Sequence, residues 1–141
     1  MARRPEAAGL SLPAAIAMQL LEHARGELPN ESCALLGGDP DRGHVTSVHP
    51  ARNRLASPFR YDVEPRDLVR IIHQIEEGGD ALVAIFHSHP RSAAVPSETD
   101  VREARYPVVH LVASLADAEP VMRAWTIEAA TAREVTLTIA P

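Results

Sequence analysis

Residues 81–100 read ALVAIFHSHPRSAAVPSETD, and the fold is best approached from this stretch. Ala81 to Phe86 is almost wholly apolar, as expected of a strand buried on both faces. His87 and His89 follow two residues apart, so in a strand they face the same way. Pro90 cannot continue a central ladder, so the chain must leave the sheet there. The excursion over 90–96 can return Asp100 to the two imidazoles, on a short helix expected from about Ser97 to Ala104.

Upstream, Glu64-Pro65 opens a helix whose stripe is Leu68, Ile71, Ile72 and Ile75, and Gly78-Gly79 ends it. Phe59 to Val63 reads as a short strand. Cys33 to Leu36 and Val45 to His49 read as paired strands around the turn Asp39-Pro40-Asp41-Arg42-Gly43. A first helix is expected from about Pro13 to Gly26, with Ser11 as its N-cap. Downstream, 108–114, 121–128 and 134–139 read as strands. Helices and strands interleave, so the class is α/β or α+β around one mixed sheet. Residues 1–10 are expected to be a flexible tail, and 11–141 a single domain.

The 141 residues suit one domain, and 45% apolar residues can build one substantial core. The net charge of −5 argues against nucleic acid as a partner, because phosphate binding needs a basic face. All 14 basic residues are Arg, so lysine chemistry is excluded. Cys33 is the single cysteine, which excludes an internal disulfide and a Cys-rich zinc site. Arg3 and Arg4 precede a moderately apolar stretch, but Glu6 and Pro13 fit a signal peptide poorly, and a cytoplasmic chain is expected. No run reaches the ~18 apolar residues of a membrane span.

Two histidines and one carboxylate make a three-ligand zinc site with an open fourth position, which assigns His87, His89 and Asp100 to the metal. Zinc so held lowers the pKa of bound water to ~7. Ser97, beside Asp100, could donate to a developing oxyanion. Ser97-x-x-Asp100 is also a helix capping pattern, and the two readings are compatible. For the proton acceptor, Glu31 and Glu98 are both candidates by position, with Glu98 expected to point into solvent.

Glu31-Ser32-Cys33, His87-Ser88-His89-Pro90, six residues, then Ser97-Glu98-Thr99-Asp100 resemble the JAMM motif of the MPN+ metallopeptidases. Ala34 departs from the glycine common there. The resemblance implies an MPN-type (cytidine-deaminase-like) mixed sheet with flanking helices. It implies Glu31 as general acid/base, His87, His89 and Asp100 as zinc ligands, and Ser97 as oxyanion donor. It also implies cleavage of peptide or isopeptide bonds after the C-terminal Gly-Gly of a ubiquitin-like protein. The compact bacterial branch, one type of which releases cysteine from a ubiquitin-like sulfur carrier, is the most similar.

Other readings fit less well. Barrel amidohydrolases need about 250 residues, and the later glutamate and histidine of a cupin are not found at suitable spacing. Catalytically silent MPN scaffolds usually lack the ligands present here. RadC-like proteins share part of the motif, but the negative charge and the Glu31-Ser32-Cys33 context argue against them.

Overall fold

The computed structural model describes residues 9–141. The elements in chain order are β1 (Leu10–Pro13), α1 (Ala14–Gly26), β2 (Cys33–Asp39), β3 (His44–Ala51) and α2 (Pro65–Glu77). They continue with β4 (Ala81–His89), α3 (Glu98–Glu103), β5 (Val109–Ser114), β6 (Val121–Glu128), β7 (Thr131–Val135) and β8 (Leu137–Ala140). Most of the expected tail, residues 1–8, lies outside the described residues, but Leu10 is buried in β1.

Among the described residues the strands form one sheet in the order β7-β6-β5-β4-β2-β3-β1-β8. Pairing is mixed: β4 and β5 run parallel, as do β1 and its two neighbours, and the other pairs are antiparallel. β7 and β8 lie at opposite ends of this order, yet only Thr136 separates them in sequence. One residue can span only about 3.5 Å per step. The sheet must therefore curl until its two edges meet.

The curl encloses α1. Ile16, Ala17, Leu20 and Ala24 share one cluster with Leu10 and Leu12, Ala34 and Leu36, Val45, Ala84 and Phe86, Leu111, Ala124 and Val135. Against the other face lies α2, whose Ile71 and Ile75 pack on Cys33, Leu35, Ala51 and Ile85. Gly37 permits that approach, since a Cβ there would sit 2.7 Å from Ser47 Oγ and 3.0 Å from Ile75. Pro65 opens α2, and the Glu64 side chain accepts from Arg66 N.

Three expectations are corrected. Ser11 is not an N-cap: it lies in β1, its N–H donating to Gly43 O and its hydroxyl bonded to His44 Nδ1, and Pro13 precedes α1 without a side-chain cap. Cross-strand pairing takes the groups that a cap would have used. The segment 59–63 is not a strand beyond one bridge, Asn53 to Val63, because the Asn53 side chain bonds the loop backbone instead. The stretch 134–139 is two strands, broken at Thr136 where the chain changes edges.

Candidate metal centre

Strand alternation divides β4. Ala84 and Phe86 face the α1 core, whereas Ile85, His87 and His89 face the α2 side. Cys33 pairs with His87 across β2 and β4, so Glu31, two residues earlier, is delivered to the same corner. Ser32 fixes that delivery: its N–H donates to Ser88 Oγ at 2.9 Å, the two hydroxyls lie 2.7 Å apart, and Ser88 N donates to Ser32 O. Glu31 N donates to Ser57 O, and Asn53 Nδ2 donates to Glu31 O.

Asp100 completes the corner from α3. Ser97 accepts from Asp100 N through its hydroxyl, while Ser97 N donates to Asp100 Oδ2. This capping box aims the carboxylate at the histidines. The Ser97 hydroxyl acts there as an acceptor, which leaves its own hydrogen free to donate.

The side chains converge. Asp100 Oδ2 lies 3.0 Å from His87 Nε2 and 3.2 Å from His89 Nε2, and the two ring nitrogens are 3.2 Å apart. Ligand atoms of Glu31, His87, His89 and Asp100 all fall within 4.8 Å of one another. His89 Nδ1 donates to Ala93 O at 2.7 Å, so in the neutral ring Nε2 presents a lone pair to this cluster. A tetrahedral site with bonds of ~2.0–2.1 Å has donor–donor edges of about 3.3 Å. The triangle of two imidazole nitrogens and one carboxylate oxygen fits such a metal ion. Tyr61 stacks on His87, ring centroids 4.4 Å apart and planes inclined by 18°.

Electrostatics follow from burial. Glu31 is 4% exposed, and Oε1 has no hydrogen-bond partner among the described residues. Burial, helped by the Asp100 charge and opposed by His89, pushes its carboxyl up to about 7. Asp100 is held well below the usual carboxylate range: burial opposes this, but hydrogen bonds from both histidines and from Ser97 N outweigh it. Burial lowers His87. His89 is raised despite burial, through its bonds to Asp100 and Ala93 O.

Every candidate from the motif thus reaches one corner, while Glu98 is exposed and outside the cluster. Sequence reasoning passed over Tyr61, Ser88 and the loop carbonyls. Ser88 carried a signal, since a serine between two inward histidines must face the opposite side of the strand. His110, which is not part of the motif, is buried beside this corner. It lines a cavity of about 280 Å³ together with Asp100, Tyr61, Leu68 and Tyr106. No helix among the described residues is long and apolar enough to cross a membrane.

Residues 13–128 match the family described as prokaryotic homologs of the JAB domain. A desampylase of Haloferax volcanii is 41% identical over 83% of this chain and 88% of its own. A CysO-cysteine peptidase of Mycobacterium tuberculosis is 31% identical over 66% of this chain and 64% of its own. A solution structure from Desulfitobacterium hafniense, 33% identical, superposes with a TM-score of 0.83 over 92% of this chain and 93% of that one. A JAB1/MPN domain protein of Archaeoglobus fulgidus, 19% identical, shares the fold at a TM-score of 0.61 over 94% and 97% of the two chains. With its curled mixed sheet and its Glu31, His87, His89 and Asp100 corner, the chain belongs to the prokaryotic JAB-domain family.

Proposed function

We propose that this chain is a zinc metallopeptidase that hydrolyses the peptide or isopeptide bond after the C-terminal Gly-Gly of a ubiquitin-like or sulfur-carrier protein. The reading rests on the buried convergence of two imidazoles and two carboxylates within 4.8 Å. The names of the relatives, desampylase and CysO-cysteine peptidase, support the substrate class.

His87, His89 and Asp100 would hold the zinc, and Glu31 and Ser97 would serve the reaction. When bound, zinc supplies Lewis acidity that lowers the pKa of water to ~7 and polarises a carbonyl. Glu31 accepts the proton of the attacking water at its carboxylate and returns it to the leaving amine. Its carboxylate suits this role because one oxygen is buried without a partner among the described residues, and because Ser57 and Asn53 hold its backbone while Ser88 holds that of the adjoining Ser32. Ser97 donates its free hydroxyl hydrogen to the developing oxyanion. The cavity beside Asp100 gives an extended tail room to lie against the centre.

The test uses a β-grasp carrier ending in Gly-Gly, joined either to a C-terminal cysteine or to a lysine side chain, with release followed by mass spectrometry. Turnover is expected to stop with chelator and return with zinc; full activity after exhaustive metal removal overturns the mechanism. Glu31→Gln is expected to keep zinc while turnover falls about 10²–10⁴-fold. Undiminished turnover in that variant moves the base elsewhere.

A further inference from the structure

The segment between Pro90 and Pro96 is held by a row of side chains. Three consecutive carbonyls each accept one hydrogen bond, and the donors stand on three adjacent strands. Ser114 Oγ, on β5, donates to Ser92 O at 2.6 Å. His89 Nδ1, on β4, donates to Ala93 O at 2.7 Å. Trp125 Nε1, on β6, donates to Ala94 O at 3.0 Å. Ala94 is buried, and Leu115 N donates to His89 O, so loop and strand ends are closed into one unit.

The middle bond is the one that matters for the metal centre. It sets which nitrogen of His89 carries the hydrogen and fixes the plane of the ring. Ala93 O can hold that position only if its neighbours are held. Pro90 sends the chain off the sheet at one end, and the capping box of α3 anchors the other. Between them, Ser114 and Trp125 secure the carbonyls on either side of Ala93. His87 is treated differently: its Nδ1 is buried without a hydrogen-bond partner among the described residues, and Tyr61 stacks on its ring.

We infer that Trp125 and Ser114 are positioning residues, which act through the 92–94 backbone to hold His89 in the tautomer and orientation that ligate the metal. The 90–96 segment is then a fixed bracket and not a lid. This rests on the assignment of His89 as a metal ligand.

The experiment measures zinc affinity of the metal-free full chain by competition with a chromophoric chelator, independently of turnover. Removing a partner that orients a ligand typically weakens metal binding 10–100-fold. Trp125→Phe and Ser114→Ala are each expected to weaken zinc binding about tenfold, at the lower end because they act one bond further out. Ser114→Thr keeps the hydroxyl and is expected to restore affinity. The double variant should lose less than the product of the two single losses, since both hold one loop. Thermal unfolding of the metal-free variants identifies losses that come from general loosening. Trp125 is the sole tryptophan, so indole fluorescence also reports the bracket as zinc binds. If the unsubstituted chain binds no zinc, the metal-centre assignment fails. If that chain binds zinc and both single variants bind it equally well, the bracket alone fails. If Trp125→Phe does not fold, Ser114→Ala with its threonine rescue and its retained indole fluorescence decides the matter; if Ser114→Ala does not fold, the zinc affinity of Trp125→Phe decides it.

Discussion

Neighbouring residues of β4 live in opposite chemistries. Phe86 and Ala84 point into the α1 core, where a curled sheet closes around apolar side chains from all eight strands. His87 and His89 point to the α2 side, where burial comes with polar atoms that have no partner among the described residues, at Glu31 Oε1, His87 Nδ1 and His110 Nε2. One face concentrates stabilising contacts. The other holds buried polar groups whose desolvation opposes folding unless each finds a partner. A single strand can therefore serve stability on even positions and chemistry on odd ones.

The sharpest way to break that division is to substitute adjacent residues. Phe86 is fully buried, and Phe86→Ala is expected to destabilise the chain by about 3–5 kcal/mol. His87→Ala removes a ring whose Nδ1 has no partner among the described residues, so the metal-free chain should lose much less. Zinc binding should collapse in His87→Ala and persist in any Phe86→Ala that remains folded. Urea unfolding of the metal-free proteins and chelator competition measure both sides. Equal losses of stability in the two variants would erase the distinction between the faces.

Ser88 tests the exception. It shares the even face with Phe86 but is polar, and it ties Ser32 to the histidine strand through its hydroxyl. Ser88→Ala leaves Ser32 N–H and its hydroxyl buried without that partner, at an expected loss of about 1–3 kcal/mol. Glu31 adjoins Ser32, so turnover should fall while zinc affinity changes little. A variant that keeps full turnover would reduce Ser88 to a packing residue.

The division was partly legible in residues 81–100 alone. The apolar run to Phe86 announces a strand covered on both sides, and His-x-His-Pro announces where it ends and which way its last side chains face. The Asp100 approach was legible because Ser97-x-x-Asp100 is a capping pattern as well as a ligand pattern. The closure of the sheet was not: alternation through 134–139 describes which residues face inward, and a change of sheet edge at Thr136 leaves that alternation untouched. Nor was β1 visible, because four residues ending in proline carry too little periodicity to compete with the helix that follows. Tyr61 stacks from a loop whose shape depends on the Asn53 side chain, and no local pattern encodes that distance.

The smallest effect concerns His110, on the same side of the sheet as the histidine pair. Burial, with a lesser contribution from the His87 charge, pushes its imidazole down to about 4, below the ordinary 6.5. The folded chain therefore holds His110 neutral where the unfolded chain binds a proton. Between these values the unfolded state carries more protons, so stability rises with pH. The contribution is complete above about 6.5 and is lost as pH falls toward 4. At pH 5.5 the loss attributable to this one group is about 1 kcal/mol. His110→Leu removes the titration. Metal-free protein unfolded in urea at pH 7.5 and 5.5 reads the effect, because His87 and His89 are present in both chains and the coupling of His87 to His110 is the lesser part of the shift. The unsubstituted chain should lose about 1 kcal/mol more than the variant on acidification. An identical pH dependence in the two chains would mean that the imidazole reaches solvent, and that the polar face is wetter than its burial implies.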